Sequence, residues 1–256
     1  MTDTYCSQSF EIGHLSLGGS SPVRIQSMTN TPTKDEQASV AQCLRMIRAG
    51  AQLVRLTTQG KREIKSLERI RAALASRGSG VPVIADIHFN PALAIEAAKV
   101  ADKIRINPGN YLKGGNIEKL LPPLLETCRS HGTAIRIGVN HGSLDPATVE
   151  QYGDSPSGMV ESAMQFLRVC KSHDFHRVVV SMKSSNPRVM IHSVRLLVKQ
   201  MTREGIYFPL HLGVTEAGDG LEGRIKSAVG IAPLLLEGMG DTVRVSLTEP
   251  PENEMP

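Results

Sequence analysis

Eight short apolar runs, the first seven each followed by a stretch with helical periodicity, constrain this chain more than any single motif does. The runs fall at 22–29, 53–56, 81–87, 103–107, 134–139, 176–182, 210–215 and 242–247. Helical stretches are predicted at 35–50, 61–77, 91–100, 117–130, 158–171, 187–203 and 223–237. Strict alternation of strand and helix gives an α/β protein with a parallel sheet. Eight units in 256 residues suit a (β/α)8 TIM barrel better than the other candidate, an open doubly wound sheet. Residues 10–19 read as two short strands with a Gly-Gly turn, so 1–21 is expected to be an N-terminal β-hairpin closing one end of the barrel. The barrel itself then spans 22–248. The eighth helix is missing or truncated: 249–256 is a polar tail expected to be unable to pack the barrel's last side, as in a fragment of a longer protein.

Several of the runs carry a charge where a buried strand should have none. Val54-Arg55-Leu56, Ile104-Arg105-Ile106, Ile135-Arg136-Ile137 and Val243-Arg244-Val245 each set a guanidinium between β-formers. Arginine keeps its proton and is rarely buried without a partner. In TIM barrels the chemistry sits at the carboxyl ends of the strands. Those ends collect Gln26, Ser27, Arg55, Asp86, His88, Arg105, Asn107, Arg136, Asn140, Ser181, Lys183, His211, Glu216, Arg244 and Ser246. With so few acids among them, four arginines point to an anion, and each gains roughly 4 kcal/mol from a phosphate at ~4 Å in a medium of dielectric ~20. Lys183 leaves two readings open. It is either another phosphate cation or a desolvated amine that forms a Schiff base with a carbonyl, as in a self-sufficient aldolase or lyase. A non-catalytic phosphate-ligand binding barrel is a third reading. Glu216, among cations, suits a proton acceptor or a group that orients a hydroxyl.

Other features bound the function from outside. A net charge of +4 is too small to imply nucleic acid, and no apolar run reaches the ~20 residues of a membrane span. Cys6, Cys43, Cys128 and Cys170 form no Cys-x-x-Cys pair, and three of them fall in predicted helices as buried thiols. With no signal peptide visible, a reducing compartment, the bacterial cytoplasm, is expected. Gly218-x-Gly220-x-x-Gly223 spells a dinucleotide fingerprint, but it follows the seventh strand and carries Asp219 and Glu222, which repel pyrophosphate. It reads as a loop on the catalytic face.

Together the segments Ile25–Asn30, Ala85–Asn90, Lys103–Asn110, Ile137–Asn140, Leu210–Gly218, Gly223–Gly230 and Asp241–Ser246 resemble the 4-hydroxy-3-methylbut-2-enyl diphosphate synthase family. The wording around 219–226 and 246–251 is similar to the larger, three-domain form. The resemblance implies the barrel domain of an oxidoreductase of non-mevalonate isoprenoid biosynthesis. That enzyme reductively opens 2-C-methyl-D-erythritol 2,4-cyclodiphosphate to 4-hydroxy-3-methylbut-2-enyl diphosphate. It also implies a [4Fe-4S] cluster whose ligands are absent from this chain, ferredoxin or flavodoxin as electron donor, and a homodimer. Carried over by motif, Arg55, Arg105, Arg136 and Lys183 would hold the diphosphate with Asn140 and Ser246. Asn107 and Asp86 would line the pocket, and Glu216 would be the catalytic group. Alone, the fragment is expected to be inactive.

Overall fold

A computed structural model describes residues 5–88 and 90–255. Residues 1–4 of the expected N-terminal unit, Phe89 of the Asp86–Asn90 motif and Pro256 of the tail lie outside the described residues. The chain forms two sheets. The first is an antiparallel hairpin of β1 (Phe10–Ile12) and β2 (Leu15–Leu17), in register Phe10 with Leu17. The second holds eight parallel strands: β3 (Arg24–Met28), β4 (Leu53–Thr57), β5 (Val83–Asp86), β6 (Lys103–Ile106), β7 (Ala134–Asn140), β8 (Val178–Lys183), β9 (His211–Leu212) and β10 (Thr242–Val243). Their spatial order is β8-β7-β6-β5-β4-β3-β10-β9, and a parallel bridge between Val180 and Leu210 joins the two ends into a barrel. Short βα connections and the right-handed crossover of parallel strands produce this closure.

The helices α1 (Glu36–Ala49), α2 (Lys61–Ala75), α3 (Pro91–Ala98), α8 (Pro156–Ser172), α9 (Pro187–Arg203) and α10 (Gly220–Leu236) cover the outside. α1 shows why the boundaries fall where they do. Asp35 caps it by accepting from the Ala38 amide at 2.9 Å, and Gly50 ends it in the left-handed region at φ 118°. α9 buries Met190, Val194, Leu197, Val198 and Met201, one face of a 3.6-residue repeat. The thiols of Cys43, Cys128 and Cys170 are buried and unpaired by disulfides, and burial pushes Cys43 and Cys170 up to about 12.

Three expectations change. The single helix predicted over 117–130 is broken into α5 (Ile117–Leu120) and α6 (Pro122–His131), because Pro122 and Pro123 cannot donate to a continuous helix. Two more short helices, α4 (Pro108–Leu112) and α7 (Pro146–Tyr152), occupy loops after β6 and β7, each opening on a proline. The polar tail does pack: Pro251–Glu254 forms a 3-10 turn against α1 and β3, with Pro251 and Glu254 buried. Each of its acids has found an arginine. Glu249 pairs with Arg224 at 2.7 Å, Glu252 with Arg45 at 2.7 Å and Glu254 with Arg244 at 3.3 Å. Between α10 and this turn lies a groove of about 320 Å³ lined by Ile231, Leu235, Val243, Val245 and Leu247.

The hairpin stoppers the amino-terminal end. Ile12, Leu15 and Leu17 form a second core cluster with Leu53, Ile84, Ala134 and Val179, residues near the starts of four barrel strands. After β2 the chain passes close to the backbone of residue 8 because residue 18 is glycine. Its φ is +81°, and a Cβ there would sit 2.2 Å from the carbonyl oxygen of Gln8. Ligand access is therefore left to the carboxyl end.

Candidate functional site

Strand alternation decides what faces the barrel axis. In β6, Ile104 and Ile106 are buried toward the helices, which leaves Lys103 and Arg105 on the other face. The same period puts Arg55 beyond Leu53, Asp86 beyond Ile84, Arg136 beyond Ala134, and Lys183 beyond Ser181 and Val179. Above the apolar stopper the interior is thus polar. A lower layer holds Gln26, Lys103, His211 and Thr242. An upper layer holds Met28, Arg55, Asp86, Arg105, Arg136, Lys183 and Arg244.

Asp86 organises the upper layer. Its Oδ2 lies 3.6 Å from Arg55 Nε and 3.6 Å from His88 Nε2, and its Oδ1 lies 3.4 Å from Arg105 Nη1. Burial alone would raise this carboxyl, but Arg55, Arg105, His88 and Arg136 outweigh burial and hold it well below the usual carboxylate range. Arg55 also donates to the Met28 thioether at 2.6 Å, and Arg244 reaches the same sulfur at 3.5 Å. Burial lowers the Arg55 guanidinium to about 10, with Arg244 and Arg105 adding to the fall and Asp86 opposing it. Arg244 is held from the far side by Glu254, whose carboxylate also accepts from Ser27 Oγ at 2.8 Å and the Leu247 amide at 3.2 Å.

Arg136 has no such support. It is 2% exposed, and its Nε and Nη1 are buried without a hydrogen-bond partner among the described residues. Burial, then Arg55 and Arg105, drive it far below the ordinary guanidinium range. Arginine does not give up its proton in proteins, so that pressure is expressed as demand for an anion. Arg105 Nε, Asn107 Oδ1 and Ser181 Oγ are likewise buried and unsatisfied. Buried polar atoms are rarely left so in a finished protein. Four guanidiniums against the Asp86 and Glu254 carboxylates leave two positive charges in excess, before any lysine is counted.

Of the predicted site residues, Arg55, Asp86, Arg105, Asn107, Arg136 and Lys183 come together here. Asn140 and Ser246 are half-buried at the rim, Asn140 in register with Lys183. Glu216 stands apart. It is exposed on the loop after β9 at φ 51°, and its carboxylate has no ion pair among the described residues. The Gly218–Gly223 motif opens α10, and its first amide, Gly220 N, donates to the Glu249 carboxylate at 2.8 Å. Sequence reasoning passed over Lys103, Met28 and Glu254. Lys103 was findable, being two residues before Arg105 and so on the same strand face.

Gly138 makes room for the cluster, since a Cβ there would lie 2.8 Å from Arg105 Nε and 3.3 Å from Ser181 Oγ. Gly138→Ala is expected to fold with a near-native melting temperature yet bind inorganic diphosphate about ten- to a hundredfold more weakly, as calorimetric titration would read. Unchanged affinity would mean that Arg105 need not hold its present position.

Among the described residues no group of three or more His, Cys, Asp or Glu could hold a metal ion, and the buried thiols are raised rather than activated. Among the described residues these donors do not fit an iron-sulfur cluster. Among the described residues no helix is long and apolar enough to cross a membrane.

Residues 7–256 match the family described as the GcpE TIM-barrel domain. The chain is 54% identical over 268 aligned residues to the 4-hydroxy-3-methylbut-2-en-1-yl diphosphate synthase (flavodoxin) of Phocaeicola vulgatus, covering 98% of this chain and 44% of that protein. It is 47% identical to the chloroplastic ferredoxin-type synthase of Oryza sativa subsp. japonica, covering 95% of this chain and 35% of that one. The chain thus spans less than half the length of these relatives. Among solved structures, dihydropteroate synthase of Burkholderia cenocepacia superposes with TM-score 0.62 at 16% identity, covering 97% of this chain and 94% of that one, which speaks to the fold alone.

Proposed function

The chain belongs to the GcpE TIM-barrel family, and from that premise we propose that it is the substrate-binding barrel of a reductive diphosphate synthase. The reaction is the opening of 2-C-methyl-D-erythritol 2,4-cyclodiphosphate to 4-hydroxy-3-methylbut-2-enyl diphosphate. It consumes two electrons and one proton, releases one water, and leaves a product with one more negative charge than the cyclic diphosphate. The observation that carries the reading is the excess of buried guanidinium over carboxylate at the carboxyl end, with Arg136 unpaired.

In this reading Arg55, Arg105, Arg136 and Lys183 grip the diphosphate, with Asn140 and Ser246 at its rim and Asn107 and Asp86 lining the pocket. The cyclic diphosphate carries one negative charge on each phosphoryl group, two in all. That matches the two positive charges left after Asp86 and Glu254 are counted. Breaking the ring C–O bond exposes a further oxyanion, and Lys183 is the proposed partner of that added charge. Preorganised donors aimed at developing charge are an effective way to stabilise such a step. Glu216 is the proposed proton-handling group, brought from its exposed loop over the mouth. Flavodoxin or ferredoxin would supply the two electrons, and a [4Fe-4S] cluster would have to be held by groups other than the described residues of this chain. The working protein is a cytoplasmic homodimer.

Calorimetric titration of the full-length protein with the cyclodiphosphate tests the reading. Saturable binding that is abolished by Arg105→Gln and Arg136→Gln is the expected result. Binding that survives both changes would overturn the anion cage. The displaced amine of Lys183 also keeps a Schiff-base lyase in view, since burial and then Arg136 and Arg244 hold it far below the usual lysine range. Borohydride trapping of a carbonyl ligand on Lys183 would favour that chemistry over the synthase.

A further inference from the structure

Beneath the arginines lies a second basic layer that the proposed binding role does not use. Lys103 is 0% exposed, and its Nζ donates to Gln26 Oε1 at 3.2 Å. Among the described residues it has no ion pair. His211 is equally buried, with Nδ1 2.7 Å from Thr242 Oγ1 and Nε2 unsatisfied. Besides His211 itself on β9, the groups around this layer come from the other seven strands of the barrel. They are Gln26 and Met28 on β3, Arg55 on β4, Asp86 on β5, Arg105 on β6, Arg136 on β7, Ser181 and Lys183 on β8, and Thr242 and Arg244 on and after β10. The two acids that pair with the arginines above are already engaged, Asp86 by Arg55, Arg105 and His88, and Glu254 by Arg244, Ser27 and the Leu247 amide.

We propose that Lys103 and Lys183 are neutral in the ligand-free protein and take up protons from solvent as an anion binds, so that Lys103 acts as a positioning residue that couples affinity to pH. The inference rests on the anion-cage reading of the site. Its logic is one of permitted charge. Six cationic side chains and a histidine share a low-dielectric interior with two carboxylates, and the four guanidiniums cannot shed a proton. The two amines and His211 are the groups that can. Burial disfavours their charged forms first, and the neighbouring cations push the same way: Arg136 and Arg55 on Lys103, Arg136 and Arg244 on Lys183, Lys183 and Arg136 on His211. A neutral Lys103 still donates to Gln26, so the hydrogen bond survives the loss of charge. When a dianion settles among the arginines it cancels their two excess positive charges, so the repulsion that opposes protonation in the layer below is relieved and protonation becomes more favourable. By linkage, each proton taken up makes binding about tenfold tighter per unit fall in pH across the titrating range.

The cyclodiphosphate is a suitable probe because both of its phosphoryl groups are diester-like and do not themselves titrate near neutrality. The full-length protein is titrated calorimetrically at about pH 8 in two buffers of different ionisation enthalpy, which yields the number of protons bound with the ligand. Uptake of about one proton or more is expected, with affinity rising as pH falls. In Lys103→Met the uptake should drop by a resolvable fraction while binding weakens by less than tenfold, and Lys103→Arg, charged throughout, should show the same drop. Binding with no proton uptake would overturn the proposal and leave the cage standing. Full uptake in Lys103→Met would remove Lys103 from it. If the cyclodiphosphate does not bind, the functional reading fails, and inorganic sulfate, also non-titrating, then reads the proton linkage alone: uptake supports it, and binding without uptake overturns it.

Discussion

Arg136→Met is expected to make the ligand-free protein more stable and the liganded one far weaker. The guanidinium is buried without a carboxylate, so the native state carries its desolvation with little return. Methionine has similar reach and no charge. Replacing buried ionic groups with apolar side chains often stabilises by about 1–4 kcal/mol, which in a domain of this size raises the melting temperature by roughly 2–4 °C per kcal/mol. In the proposed anion cage the same change removes a fully desolvated donor to the diphosphate, for an expected loss of about 2–5 kcal/mol, or some thirtyfold to a few thousandfold in affinity. Thermal melting with and without cyclodiphosphate reads both effects. A fall in stability would show that Arg136 is satisfied inside the protein and that the anion argument is misplaced.

Asp86→Asn should do the reverse. It removes the carboxylate between Arg55, Arg105 and His88 and leaves cations unpaired in the core, a change that typically costs about 3–5 kcal/mol. The pH dependence fixes its signature. The folded carboxyl is held below its unfolded value, so its contribution is fully present above the ordinary aspartate pKa of about 3.9 and is lost as pH falls through the folded value. Asp86→Asn should therefore be destabilised at neutral pH and show a shallower loss of stability on acidification. Cyclodiphosphate should rescue it more than it rescues the wild type, because the ligand supplies the missing negative charge. Denaturant titrations across the acid range would check this, and a variant as stable as wild type at neutrality would refute it.

How much of this was readable from the residues depends on range. The barrel followed from the order of strands and helices, and the inward arginines from period two within each strand, both local signals. The hairpin was legible as two short strands within 10–19, but which of its side chains reach the barrel was not. What the sequence hid was partner choice across the chain. Glu254 looks like a solvated acid in a polar tail, yet it is 7% exposed because Arg244, Ser27 and the Leu247 amide converge on it. The break at Pro122 was legible and misread, since apolar periodicity continued across a residue that cannot donate. Glu216 was placed by motif, and its left-handed backbone on an exposed loop depends on tertiary context.

The stopper formed by β1 and β2 has a kinetic meaning. A barrel sealed at one end is a well with a single doorway, so whatever leaves must use the path by which the next molecule arrives. Exit and arrival cannot overlap. Ligand exchange in such a well is strictly sequential, and a lingering occupant obstructs by occupancy as well as by affinity.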